Sequence, residues 1–286
     1  MKILVTGGAG FVGTNLIKKL LEEGHEVCSL DNYSTGFKSN HIEGAKYIEG
    51  TVENIPRWHH QTSFLSPELI YHLAALPRIQ PSFDDPVSTF KVNTEGSLNV
   101  AKFALKHNTK VVYSGSSSRW HDPFKSPYAC FKHIGEEVFK LYKQVYNLDV
   151  EICRFYNAYG PYEIVDGDWA AVIGKWRRQV RDGESITIVG DGNQRRDFTH
   201  IDDIVEALYK IGVGNYKHSD AWELGTGQNY SINEVYQMFK DKFNVGCEYI
   251  PDQPGNYRET LRENDDALDQ LDWKPQDRLL DYINSL

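Results

Sequence analysis

Two stretches of this chain place a tyrosine one helical turn ahead of a lysine: SPYACFK, with Tyr128 and Lys132, and YQMFK, with Tyr236 and Lys240. With 17 tyrosines and 19 lysines in 286 residues, chance alone supplies about one such pair, so the spacing by itself assigns nothing. The chemistry open to such a pair is general base catalysis by a phenol. A free tyrosine has a pKa near ~10, so about 0.1% is phenolate at neutral pH, and lowering it by three units takes roughly 4 kcal/mol. A neighbouring ammonium favours the charged form, and so does a cationic nicotinamide ring. The phenolate can then take the proton of a substrate hydroxyl as hydride leaves for the ring. Twelve positions before Tyr128, the run YSGSSSRW places Ser116 where its hydroxyl can bond the same substrate oxygen.

The surrounding elements decide between the pairs. KILVT at 2–6 is a short β-branched run followed at once by GGAGFVGTNLIKKLLEEG, a glycine turn and a helix with Val12, Leu16 and Leu20 on one face. Gly8, Gly10 and Gly13 fit G-x-G-x-x-G, and Gly7, Gly10 and Gly13 fit the related G-x-x-G-x-x-G. Glycines here let the backbone approach a pyrophosphate, whose charge the free amides of the helix start can meet. The next strand, EVCSLD, ends on Asp31, a carboxylate placed to accept from adenosine ribose hydroxyls and to repel the extra phosphate of NADP. The spacing therefore predicts NAD as cofactor, although DNYSTG is also a turn in which Asp31 can cap backbone amides. Alternation continues with KYIEG at 46–50, LIYHLAA at 69–75, a helix over 87–107, KVVYSG at 110–115, a helix over 126–146 and DVEICRF at 149–155. Strands alternating with helices imply a doubly wound parallel sheet of α/β class, with ligands at the carboxyl ends of the strands. Tyr128 and Lys132 then open the helix after the fifth strand, beside the cofactor. Tyr236 and Lys240 fall on a helix, SINEVYQMFKDKF, where Val235, Met238 and Phe239 suggest ordinary packing.

Composition bounds the rest. Forty Asp and Glu against 31 Lys and Arg give a net charge of −9, and no basic block stands out, which argues against a nucleic-acid partner or an anionic membrane. No apolar run reaches membrane length, and MKILVTGG is too short for a signal peptide, so a cytoplasmic location is expected. Cys28, Cys130, Cys153 and Cys247 lie far apart without a CxxC and read as buried thiols. His59 and His60 beside Trp58 lack further ligands nearby, so no metal is expected.

The motifs TGGAGFVG, DNYSTG, HLAA, VNTEG, SPYACFK, RFYNAYGP and GDGNQRRDFTHIDD, in this order along nearly the whole chain, resemble the extended short-chain dehydrogenase/reductase superfamily. More closely they resemble its NAD-dependent nucleotide-sugar epimerase/dehydratase branch, in the manner of UDP-glucose 4-epimerases. The resemblance implies a Rossmann domain over 1–160, to which 197–226 return, and a smaller nucleotide-sugar-binding lobe over 161–196 and 227–286. It implies a catalytic trio of Ser116, Tyr128 and Lys132, with Lys132 also holding the nicotinamide ribose. Around the cofactor it implies Phe11 and Val12, then Asn32, Ser34, Thr35 and Gly36 of the turn after Asp31, and Thr51 and Val52 after the third strand. Leu73, Ala74, Ala75, Asn93 and Phe155 complete that surface.

For the substrate, most simply a UDP-sugar, the resemblance implies Asn157 and Arg196 at the diphosphate and Val172 and Ile188 around the base. Arg78 and Ser117 would lie near the sugar. Two phosphates need such donors in a net acidic chain. A homodimer through the helices 87–107 and 126–146 is implied as well, with Phe131, Val138, Phe139 and Tyr142 as apolar surface. Several positions depart from the family pattern. The connection from Ser116 to Tyr128 is about half the usual length, which predicts a shorter, more open rim over the sugar. The aspartate expected after the third strand is Thr51, and the arginine expected before PG is Gln253, a role that Arg258 can take over. Dehydratases of the superfamily carry an Asp-Glu pair just after the fifth strand and decarboxylases a glutamate at the second position; here these are Ser117 and Ser118. Hydroxyls cannot replace a carboxylate in proton transfer at pH 7. C4 epimerisation is the reading this favours. A nucleotide-sugar reductase or dehydratase, and a non-catalytic dinucleotide sensor, are its alternatives.

Overall fold

The computed structural model describes residues 1–55 and 66–286, so Trp58, His59 and His60 lie outside the described residues. Seven strands form one parallel sheet: β1 (Lys2–Thr6), β2 (Glu26–Asp31), β3 (Lys46–Glu49), β4 (Leu69–His72), β5 (Lys110–Ser116), β6 (Val150–Phe155) and β7 (Trp222–Leu224). Their spatial order is β7-β6-β5-β4-β1-β2-β3. The chain runs outward one way from β1 to β3 and the other way from β4 to β7, so a crevice opens between β1 and β4 at their carboxyl ends. In register, Thr6 faces Leu30 on one side and His72 on the other.

Both faces of the sheet are covered, which is why its strands are continuous apolar runs. Ile3 and Val5 of β1 join α1 (Phe11–Glu22) and the helix Ile201–Val213 in one core. Leu4, between them in sequence, points to the other core with α2 (Ser97–His107) and α3 (Pro127–Tyr146). Ser126 caps α3, its hydroxyl accepting from the Ala129 amide at 3.1 Å, and Pro127 supplies the first helical residue. These two signals fix where Tyr128 stands.

Three expectations change. The helix predicted over 87–107 is broken by a π-helical turn at Lys91–Gly96, which brings Asn93 and Gly96 inward. The strand predicted over 69–75 stops at His72, because β1 offers no partner beyond Thr6: the Leu73 amide takes the Thr6 carbonyl, and the Ala74 amide turns to the Thr6 hydroxyl at 3.2 Å. Phe139 and Tyr142 are buried in the core rather than offered as surface, and Val138 packs against that core. Exposed on these helices are Leu98 and Leu105 of α2 and Ile134, Leu141, Val145 and Tyr146 of α3.

A smaller assembly stands over the carboxyl ends of the strands. Ile186–Val189 pairs with Cys247–Ile250, and Arg195–Asp197 with Asn229–Ser231. Trp176, Ile188, Phe198, Val235, Phe239 and Ile283 form its core.

Candidate active site

A cavity of about 950 Å³ runs from the β1 turn across the strand ends into the smaller assembly. At the β1 turn Gly7 has φ +74°, and a side chain on it would meet the Ala74 backbone nitrogen at 2.8 Å; one on Gly13 would meet the Gly7 carbonyl oxygen at 2.2 Å. Only glycine lets these segments close up and leaves the start of α1 open to a ligand. Gly7, Gly10, Phe11, Val12 and Gly13 all line the cavity there. Asp31 is buried at the end of β2, its two oxygens accepting from the Ala9 and Tyr33 amides at 2.9 and 2.8 Å. The carboxylate thus both caps its turn and faces the cavity, with lone pairs left for hydroxyl donors. Asn32, Ser34, Thr35, Thr51 and Val52 border this end, with Leu73, Ala74, Ala75 and Phe155 further along.

Two of the expected cofactor residues stand behind this surface. Gly36 packs on the Ala9 backbone. Asn93 is buried and grips Leu76, accepting from its amide at 2.9 Å and donating to its carbonyl at 3.1 Å. Asn93 therefore holds the strap carrying Leu73 to Pro77 rather than touching the cavity. The residues that do line it fit a dinucleotide: a glycine cradle with free amides, then a carboxylate with spare acceptor capacity for a ribose.

At the end of β5 the Tyr128 hydroxyl donates to Ser116 Oγ at 3.3 Å, and Ser116 Oγ also accepts from the Ser118 amide at 3.2 Å. The Tyr128 amide is pinned to the Ser82 hydroxyl at 3.1 Å. Burial raises the Tyr128 pKa, against the pull of the Ser116 bond and the Arg78 guanidinium. The chain's own groups thus leave the phenol protonated, where the sequence predicted activation by Lys132. Lys132 donates instead to the Ser114 carbonyl and lies over the Tyr113 ring, 4.6 Å from its centroid. Burial brings its pKa down to about 7, with Glu136 opposing. Both side chains line the cavity with Ser117 and Ser118. Arg78 is held to the Trp169 carbonyl at 2.8 Å, and burial lowers its pKa.

The second pair differs. The Tyr236 hydroxyl donates to the Val245 carbonyl at 3.1 Å, Lys240 is exposed, and neither borders the cavity.

At the other end Arg196 lines the cavity with one hydrogen bond, to the Arg195 carbonyl at 2.8 Å; among the described residues no carboxylate pairs with it. Burial lowers its pKa to about 10. A half-buried guanidinium with no carboxylate partner among the described residues invites an anion. Arg195 by contrast is engaged by Asn229 and Glu234. Asn157 reaches the cavity, but both its amide donors are spent, on the Asp197 carbonyl and the Thr260 hydroxyl at 2.9 Å each, so it presents its oxygen rather than a phosphate donor.

Val172 lines the cavity and Ile188 does not: on that strand Thr187 and Val189 face it, and Ile188 is in the core. A period of two puts neighbours on opposite faces, so the expected contact was displaced by one residue. Arg258 is a second correction. It is exposed, paired with Asp191 at 2.9 Å and outside the cavity, while Gln253 lines it. Lys175, Trp176, Tyr257 and Thr260 also border the cavity and were not foreseen. Only the Pro254-Gly255 turn signal hinted that the segment carrying Tyr257 folds inward. Among the described residues no cluster of His, Cys, Asp or Glu is arranged to hold a metal, and no helix is long and apolar enough to cross a membrane.

Residues 3–225 match the NAD dependent epimerase/dehydratase family. The UDP-glucose 4-epimerase of Mycolicibacterium smegmatis is 31% identical, over 99% of this chain and 96% of that protein. The UDP-glucuronic acid decarboxylase 1 of Xenopus tropicalis is 29% identical, over 99% of this chain and 70% of its own. The crystal structure of the UDP-glucose 4-epimerase of Thermotoga maritima with UDP-glucose superposes with a TM-score of 0.92 at 28% identity, covering 99% and 96% of the two chains.

Proposed function

Because the chain belongs to the NAD-dependent epimerase/dehydratase family, with NAD as its cofactor, we propose that it epimerises a UDP-sugar at C4 through a transient 4-keto sugar. The sugar is a hexose, an N-acetylhexosamine or a uronic acid. The observation that carries this reading is the meeting of the Tyr128 and Ser116 hydroxyls at 3.3 Å, in a cavity whose next two residues, Ser117 and Ser118, bear no carboxylate. Without one there, elimination across C5 and C6 or decarboxylation lacks its proton-transfer group, and return of hydride is what remains.

In this reading Ser116 bonds the C4 oxygen and Tyr128 takes its proton, later returning it. When bound, NAD would supply the hydride acceptor and donor for C4 and a positive ring that favours the phenolate. Lys132 would hold the nicotinamide ribose, and Asp31 the adenosine ribose. Burial of the phenol makes its charging costly, so the Arg78 guanidinium and the Ser116 hydroxyl matter to the rate. Arg196 meets the diphosphate. Residues 1–160 with 197–226 hold the cofactor, and 161–196 with 227–286 hold the nucleotide sugar. A homodimer through α2 and α3 is supported by the exposed Leu98, Leu105, Ile134, Leu141 and Val145. The four free cysteines suit the reducing cytoplasm.

The test is to incubate the protein with a panel of UDP-sugars and no added cofactor, and to identify products by NMR. A C4 epimer without lasting NADH absorbance is expected. A 4-keto-6-deoxy product, or a need for added NADPH, would overturn the reading.

A further inference from the structure

The connection from Ser116 to Tyr128 is short, and an open rim over the sugar was the expectation. The structure closes that rim from the other side of the cleft. The segment around Pro254 and Gly255 is clamped on the elements that carry the catalytic groups. Gln80 donates to the Pro254 carbonyl at 2.8 Å, and Gly255, at φ +80°, approaches so closely that a side chain there would meet Ile79 at 2.8 Å and the Lys125 carbonyl at 3.2 Å. Tyr257, two residues on, stacks its ring on His121 of the short connection, with centroids 3.9 Å apart and planes 13° from parallel. The smaller assembly and the sheet domain thus meet ring to ring beside the cavity that Tyr257 lines.

The hydroxyl of Tyr257 finds no full hydrogen bond within the chain. It is buried and no partner meets it in full hydrogen-bond geometry, while the Ser118 and Ser126 hydroxyls lie close enough to offset part of the rise that burial gives its pKa. A buried hydroxyl without a full partner costs the fold stability, and phenylalanine would stack on His121 without that cost. Its electrostatic neighbours are Tyr128 and Arg196, the groups assigned above to C4 and to the diphosphate. In a nucleotide sugar the pyranose spans those two points.

Resting on the function proposed above, we propose that Tyr257 is a specificity-determining residue whose hydroxyl bonds the pyranose between its phosphate and C4, replacing the cover that the short connection does not give. Tyr257→Phe keeps the ring and the stack and removes only a hydroxyl that makes no full hydrogen bond in the chain, so the variant folds, and its melting temperature checks that. The experiment is calorimetric titration of NAD-loaded wild type and Tyr257→Phe with UDP, UDP-glucose, UDP-N-acetylglucosamine and UDP-glucuronate. The expected result is UDP affinity within twofold of wild type and about three- to tenfold weaker binding of at least one UDP-sugar, the worth of one neutral hydrogen bond. In turnover this appears in KM, with kcat little changed. Equal binding of every UDP-sugar by both proteins overturns the assignment, as does equal weakening of UDP itself or a wild type that binds no UDP-sugar more tightly than UDP. Product NMR on the wild type judges the C4 reaction separately: sugar binding through Tyr257 without epimer formation keeps this inference and sinks that reading.

Discussion

The helices that begin at Pro127 and Ile232 carry the same motif, a tyrosine one turn ahead of a lysine, and surround it differently. On the first, Tyr128 and Lys132 are lowered into a cavity where a strand end supplies a serine and a loop supplies Arg78. On the second, a capping box of Ser231 and Glu234 starts the helix, Tyr236 answers a carbonyl of its own lobe, and Lys240 faces solvent. A spacing becomes chemistry when the fold removes water from it and aims it at a vacant volume. The two pairs, and the two arginines that the resemblance placed at the substrate, make that difference testable.

The largest effect belongs to the tyrosines. Tyr128→Phe is expected to lower kcat by about 10²–10⁴, the usual worth of a general base, and Tyr236→Phe to leave it within about twofold. Circular dichroism must show both folded; loss of activity in the second alone would reverse the comparison. Next come the arginines. Arg196→Ala removes a half-buried cation that pairs with no carboxylate of the described residues and is expected to raise KM for UDP-sugars by roughly 10- to 100-fold, as charged hydrogen bonds do. Arg258→Ala disturbs an exposed pair with Asp191 and is expected to change KM less than about twofold. At the other end of the cavity, Asp31→Ala is expected to erase a preference for NAD over NADP of about tenfold or more, measured by titration of both cofactors. Tighter NADP binding by the wild type would remove Asp31 from its role.

The smallest effect sharpens the contrast between the lysines. Burial holds Lys132 at about 7 in the folded protein, against roughly 10.4 in an unfolded chain. Between those values the unfolded chain binds the extra proton, so this group makes stability rise with pH from about 7 to about 10. Lys132→Met is expected to flatten that rise by about 1–2 kcal/mol between pH 7 and 9, and Lys240→Met to leave it, in urea titrations at both pH values.

The sheet, its helices and the glycine turn were legible because local patterns dictate them: alternating cores through β1, and an Ser126-Pro127 start signal for α3. Phe139 and Tyr142 were misread as surface because a 20-residue helix wide in apolar residues does not announce which side meets the sheet. The cavity's far wall was less legible. Ile188 and Thr187 differ by one position in register, which sequence composition does not specify. Tyr257 depends on a clamp between Gln80 and Pro254, distant in the chain, and no local propensity foretells such a contact.

The most direct test of C4 epimerisation uses a UDP-sugar that turns over, deuterated at C4, with no added cofactor. Hydride removed from C4 and returned there keeps the label, so the account predicts an epimer with deuterium retained at C4 and none released to water. Deuterium recovered at C6 of a 4-keto-6-deoxy sugar, or washed out into solvent, would contradict it.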